Sequence, residues 1–149
     1  MYFQTMNSPF GPITLFSTND ELISIAFCNT KSSMPNKILN EASSQINAYF
    51  NGRLSYFDLP IKTTGTAFQK KVWKQLIHIP YGKTLSYKQI ANNLKSSPRA
   101  VGQACGKNPI PIIIPCHRVL GSKNKIGGFS FANGTQTKLS LLKIEKINF

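Results

Sequence analysis

Three helix starts are written into residues 66 to 98, and they constrain the fold of the second half more than any other feature of the chain. Thr66 with Gln69 and Ser86 with Gln89 each match the capping box, in which a hydroxyl accepts the backbone N–H three residues on and the glutamine reaches back to the cap. An apolar run at helical spacing follows each: Phe68, Val72 and Leu76 after the first, Ile90 and Leu94 after the second. Pro80-Tyr81-Gly82 separates the two. A third start lies at Ser97-Pro98, with proline at the favoured first helical position, and the pattern predicts a helix to about Gly106. The tight connection Lys95-Ser96-Ser97 joins two short helices, as in a helix-turn-helix or a plain helical hairpin. Ala100, Gly102 and Ala104 make the second helix small-faced, which suits close approach to a narrow groove, and Arg99 projects from its first turn.

The first part of the chain reads differently. Residues 10 to 28 predict two β-rich strands, Ile13 to Phe16 and Leu22 to Phe27, around the turn Thr18-Asn19-Asp20. A helix opened by Pro35 follows, with Ile38, Ala42, Ile46 and Tyr49/Phe50 at helical spacing and Gly52 at its end. Residues 53 to 65 read as an extended linker through Pro60 and Gly65. With 149 residues and 41% hydrophobic content, the chain can bury one good core or two small ones. The expected architecture is a small α/β N-terminal lobe, residues 1–60, and a mostly α C-terminal lobe with a helix-turn-helix, residues 61–149.

Charge divides the chain in the same place. Residues 1 to 60 carry three basic and four acidic side chains, and residues 61 to 149 carry fifteen basic and one acidic. The halves are therefore at −1 and +14, the whole at +13. Such asymmetry suggests that the second part faces a polyanion; with polar residues interspersed it reads as nucleic acid rather than a membrane surface, with a merely solvated basic face as the alternative. No stretch reaches the roughly 18 to 20 apolar residues of a membrane span. The start MYFQTMNSPFG lacks a signal peptide's basic-then-apolar order, so a soluble, intracellular, cytoplasmic protein is expected.

Candidate chemistry lies in Pro115-Cys116-His117-Arg118-Val119, preceded by Ile112-Ile113-Ile114. A cysteine attacks as its thiolate and needs a neighbour that takes or stabilises its proton, directly or through one water; His117 is that neighbour. A buried core thiol beside an incidental histidine is the other reading of the pair alone. Glu145 is the only acidic residue after position 60, so a carboxylate to orient His117 must be Glu145 or be borrowed from the first 60 residues. It lies three residues after Leu142 and four after Leu141, on their apolar stripe if the segment is helical, where a carboxylate needs a buried partner. The alternative is a surface glutamate pairing with Lys138 or Lys143. Cys28, Cys105 and Cys116 are an odd set without CxxC spacing, so neither a disulfide framework nor a zinc ribbon is indicated, and Cys28 and Cys105 are expected to be core thiols.

Taken in order, GTAFQKKVW (65–73), IPYGKTLSY (79–87), PRAVGQA (98–104), NPIPIIIPCHRV (108–119), GGFS (127–130) and LLKIE (141–145) make the chain resemble the O6-alkylguanine-DNA alkyltransferases, the methylated-DNA–protein-cysteine methyltransferases, over nearly its whole length. The tight SSPRAVG version is similar to the archaeal members. The resemblance implies DNA repair by direct reversal. Cys116 would take the alkyl group from O6 of guanine by in-line displacement, irreversibly and once per molecule, with no cofactor and no metal. His117 would receive the thiol proton through a water, and Glu145 would hold the imidazole in its tautomer.

It also implies a monomer acting on double-stranded DNA from the minor groove, with the damaged nucleotide flipped into a pocket. Arg99 would fill the vacated stack, with Ala100, Gly102, Ser86 and Tyr87 at the DNA. The Tyr87 hydroxyl would donate to N3 of the departing guanine, and Asn108 would tie the helix-turn-helix to the active-site loop. Pro115, Val119, Phe129 and Ser130 would form the substrate pocket. One departure is evident: many relatives follow GGFS-like residues with two glycines, whereas this chain has Phe131-Ala132-Asn133-Gly134, about two residues longer, so Phe131 would either narrow the pocket or stack on the substrate. The other classes left open are a non-catalytic binder of alkylated DNA and a helix-turn-helix regulator with a structural cysteine.

Overall fold

The structure, a computed structural model, describes residues 1–148 and divides into two compact units, Met1–Thr63 and a second that begins at Thr64. In the first unit β1 (Tyr2–Ser8), β2 (Gly11–Ser17) and β3 (Leu22–Ala26) form an antiparallel meander. Ile13, Leu15, Leu22 and Ile25 supply its buried side. The pattern missed β1, and the reason is physical: none of its residues is fully buried, so it lacks the in–out alternation that marks a half-buried strand. It pairs with the next strand as a hairpin across Pro9-Phe10, running from Tyr2 opposite Ser17 to Ser8 opposite Gly11.

Helix α1 (Lys37–Phe50) packs on β1 and β2 through Leu39, Ala42, Ile46 and Tyr49. Pro35 does not open it; Asn36 is the N-cap, its side chain accepting from Leu39 N at 3.0 Å, because an amide oxygen satisfies one of the helix's unpaired N–H groups and proline's ring cannot. The segment after α1 is extended as expected, and it also pairs with the outer edge of β3: Leu22 N donates to Pro60 O and Lys62 N to Leu22 O, both at 2.9 Å. Cys28 is exposed, which corrects the expectation of a core thiol; it follows β3 in the loop, outside the sheet's buried face.

The second unit is mostly helical: α2 (Ala67–Ile77), α3 (Tyr87–Leu94), α4 (Pro98–Gly106) and α5 (Thr135–Ile144). Both capping boxes form, at Thr66/Gln69 and Ser86/Gln89, and Ser97 caps α4 with Pro98 in its first turn. Lys95 ends α3 in the left-handed conformation, φ 55°, which turns the chain sharply into α4. Trp73 on α2 is buried against α4, its indole N–H donating to Ala104 O at 2.9 Å. Gly65 lies over that ring, and a Cβ there would meet it at 2.6 Å. A two-residue parallel pair, β4 (Leu85–Ser86) with β5 (Val119–Leu120), sets the start of α3 beside the residues that follow Cys116-His117-Arg118.

Candidate active site

Cys116 opens a single 3-10 turn, Cys116–Arg118, reached from α4 through the loop at 107–115. That loop is fixed from inside. The buried Asn108 amide donates to Ile114 O at 2.7 Å and accepts from Ile110 N at 2.9 Å, while Ile110, Ile112 and Ile114 are fully buried. Ile112 sits at φ 76°, a conformation that costs a β-branched residue on the order of 1–3 kcal/mol and persists because the packed isoleucines and the Asn108 bonds overdetermine it. The loop delivers Cys116 N to Ile114 O at 2.8 Å and leaves the thiol 3% exposed.

Behind the thiol lies a buried ionic network. Glu145 caps the C-terminus of α5 on the stripe of Leu141 and Leu142, and is 2% exposed. Its Oε2 accepts from His117 Nε2 at 2.5 Å; Arg118 donates from Nε to Oε1 at 2.8 Å and from Nη2 to Oε2 at 3.2 Å; Gly82 N donates to Oε1 at 3.2 Å. Arg118 Nη1 is taken by Ile79 O at 2.7 Å. Since the carboxylate can only accept, the imidazole carries its proton on Nε2, and Nδ1 is the basic nitrogen. Burial lowers the His117 pKa from its ordinary value, against the opposing pull of Glu145, so the ring is neutral at neutral pH and able to accept a proton. Burial pushes the Cys116 thiol up to about 11, partly offset by the Asn108 hydrogen bond and the Lys138 charge. The resting nucleophile is therefore a thiol that reacts through a base.

A cavity of about 560 Å³ opens onto this thiol. Of the residues expected from sequence, Cys116, Tyr87, Arg99, Gly102, Phe129 and Ser130 line it, as does Phe131, which packs edge-on against Phe129 with ring centroids 5.1 Å apart. Ala100 lines the neighbouring groove with Arg99 and Gly102. Ser86 is the cap of α3, and Asn108, Pro115 and Val119 are buried behind the wall. His117 and Glu145 are likewise interior and do not line the cavity.

Cys105 is buried, as expected of a core thiol, but its place at the site, like that of Lys138, was not expected from sequence. Cys105, raised to about 12 by burial and by the Cys116 charge, lines the same cavity. Lys138 is fully buried, donating to Val119 O at 2.6 Å, Gly128 O at 3.1 Å and the Tyr87 hydroxyl at 3.4 Å. Gly127, at φ 70°, passes so close to Tyr87 that a Cβ would lie 3.0 Å from the ring, so only glycine fits there on both counts. No group of three metal-ligating side chains occurs among the described residues, and no helix among them is long and apolar enough to cross a membrane.

Comparison with known proteins adds an independent line. The family described as 6-O-methylguanine DNA methyltransferase, ribonuclease-like domain, matches residues 1–63, and the DNA binding domain of the same description matches residues 67–147. The chain is similar to the methylated-DNA–protein-cysteine methyltransferases of Methanosarcina barkeri, 44% identical with 99% of each chain covered, and of Mycobacterium tuberculosis, 39% identical over 98% of this chain and 93% of the relative. Among solved structures, Mycobacterium tuberculosis OGT in complex with DNA superposes with a TM-score of 0.89 at 40% identity, covering 98% of this chain and 93% of that one. The O6-methylguanine-DNA methyltransferase of Pyrococcus kodakaraensis, at 23% identity and a TM-score of 0.59, shares the fold.

Proposed function

The chain belongs to the 6-O-methylguanine DNA methyltransferase family, and from that premise we propose that Cys116 is the acceptor in its repair reaction, the single-turnover transfer of an alkyl group from O6-alkylguanine in DNA to a cysteine. The observation that carries the assignment is the arrangement at Cys116: a nearly buried thiol on a cavity wall, backed by a neutral imidazole whose far nitrogen is held by a buried carboxylate. The Sγ–carbon bond forms as the carbon–O6 bond breaks. The thiol proton passes to His117 Nδ1 through a water and is the proton the base regains, so the products are a thioether and unmodified guanine. The thioether has no route back, so each molecule acts once.

Duplex DNA hides O6, and a cavity of about 560 Å³ supports capture of a flipped nucleotide. Arg99, in the first turn of α4 and on the cavity rim, fills the vacated stack, and the small residues Ala100 and Gly102 let that helix approach the minor groove. The Tyr87 hydroxyl donates to N3 of the base as charge develops on it, with Phe129 and Phe131 as an aromatic wall. The protein acts as a monomer, in the cytoplasm, on double-stranded DNA.

Cys116→Ala and Cys116→Ser should abolish transfer and still bind a duplex carrying O6-methylguanine, because Arg99 and the basic surface are untouched. Rapid-quench transfer assays beside gel-shift titrations measure both. A serine variant that still removes the methyl group, or wild-type protein that binds and transfers nothing, would sink the assignment; the second result is that of a non-catalytic binder.

A further inference from the structure

The buried network behind Cys116 is wrapped by a short stretch of chain, residues 79–82, that lies outside the cavity. Ile79 O accepts from Arg118 Nη1 at 2.7 Å, and the Gly82 amide donates to Glu145 Oε1 at 3.2 Å. Between these two contacts Tyr81 lays its ring over the Arg118 guanidinium, 5.9 Å from Cζ to the ring centroid, and its hydroxyl donates to Ile144 O at 3.1 Å. Ile144 is the last residue of α5 and precedes Glu145, so this bond ties the carboxylate's own backbone to the segment. Exposure falls inward through the layer. Tyr81 is half-buried, Arg118 is 6% exposed, Glu145 2% and His117 0%. The phenol therefore covers the outer side of a buried ion pair, and such a pair keeps its strength only while water is held away from it.

We propose that Tyr81 is a positioning residue for the transfer: its ring shields the Arg118–Glu145–His117 network from water, and its hydroxyl fixes the end of α5 so that Glu145 stays aligned on His117. The inference rests on the reading of His117 as the base for Cys116. Burial is the largest influence on His117 and lowers its pKa. Glu145 at the end of α5 opposes it, while Arg118 on the same turn and Lys138 within α5 act with it. Tyr81 stays a neutral donor in this setting, because burial and the Glu145 charge both raise its own pKa. Water admitted at Tyr81 relieves the burial of His117 and leaves the pull of Glu145, so the imidazole takes a proton at higher pH and is lost as a base.

The test uses the full chain and two readings from pH 5 to 9: single-turnover transfer from a labelled O6-methylguanine duplex, and the NMR titration of His117 without DNA. Tyr81→Ala removes ring and hydroxyl; Tyr81→Phe removes the hydroxyl alone. The wild-type rate should be nearly the same at pH 6.5 and pH 8. Tyr81→Ala should lower the pH 6.5 rate by about fivefold relative to its own pH 8 rate, as His117 comes to titrate above its ordinary value of 6.5. Tyr81→Phe should shift both readings in the same direction by a smaller amount, since the ring remains over Arg118. Affinity for the duplex should change little in either variant. A loss of rate equal at all pH values, with His117 titrating as in the wild type, is the mark of a merely structural residue and overturns the proposal; wild-type behaviour in both variants does the same. If Tyr81→Ala does not fold, Tyr81→Phe decides on the same two readings. Wild-type protein that gains no methyl on Cys116 would overturn the acceptor assignment, while the His117 titration, read without DNA, still judges Tyr81.

Discussion

Glu145 holds the residue-scale chemistry together. It accepts from His117, from two nitrogens of Arg118 and from the Gly82 amide, so one carboxylate fixes the imidazole tautomer, neutralises the guanidinium and anchors the IPYG segment. Glu145→Gln should slow transfer by at least roughly tenfold, the low end of what a positioned acid–base group contributes. It should also raise the Cys116 pKa, because an imidazolium without its counter-charge favours the thiolate less. The pH profile separates this from simple loss of stability. His117 has a lowered pKa in the folded state, so the rate should hold level through pH 6.5 and fall only below it; Glu145 opposes that lowering, and its removal should carry the acid limb to still lower pH. The same sign governs folding. The unfolded chain binds the imidazole proton first as pH falls, so the stability His117 contributes is full above pH 6.5 and is lost below it. A variant with unchanged rate and profile would reduce Glu145 to a structural cap.

At the scale of elements, the parts that were legible in the sequence are those whose determinants are local. Caps are set within four residues, so the capping boxes at Thr66 and Ser86 and the Ser97-Pro98 start mark α2, α3 and α4 locally. Glu145 was legible through helical spacing from Leu141 and Leu142. The same stripe carries Lys138, three residues before Leu141 and seven before Glu145, but its burial leaves no local mark, since its partners are two carbonyls and a hydroxyl from distant positions. Arg118 escaped for the same reason, as its burial depends on Ile79 and Glu145 folding over it. The parallel β4–β5 pair depends on register between segments far apart in the chain and leaves almost no local mark, while β1, a hairpin partner of β2, lacks the buried–exposed alternation that marks a half-buried strand. The loop between α4 and the nucleophile is the element most dependent on one side chain. Asn108→Ala leaves Ile110 N buried without its acceptor, worth roughly 1–3 kcal/mol, and leaves Ile114 O with Cys116 N alone, so it should destabilise the protein by about 1–3 kcal/mol. It should also lower the transfer rate, since Ile112 loses part of what holds it left-handed. Urea denaturation and single-turnover rates measure the two losses; a variant as stable as wild type would show that the isoleucine packing alone fixes the loop.

For the whole molecule, charge and chemistry are segregated along the chain: the residues from 61 onward hold fifteen of the eighteen basic side chains and every group of the candidate site. If those lysines and arginines meet phosphates, log affinity for duplex DNA should fall linearly with log salt, and a slope near zero would contradict an electrostatic interface. Transfer from substrate already bound should depend far less on salt, because the reacting groups lie in a cavity and its buried wall. The central claim is that a single buried thiol, Cys116, ends the reaction carrying the alkyl group. Intact-protein mass after incubation with an excess of duplex bearing isotopically labelled O6-methylguanine, followed by peptide mapping, tests it most directly. The account predicts a gain of one labelled methyl group per protein, confined to Cys116 and absent from Cys28 and Cys105; no gain, or label on either of the other cysteines, would contradict it.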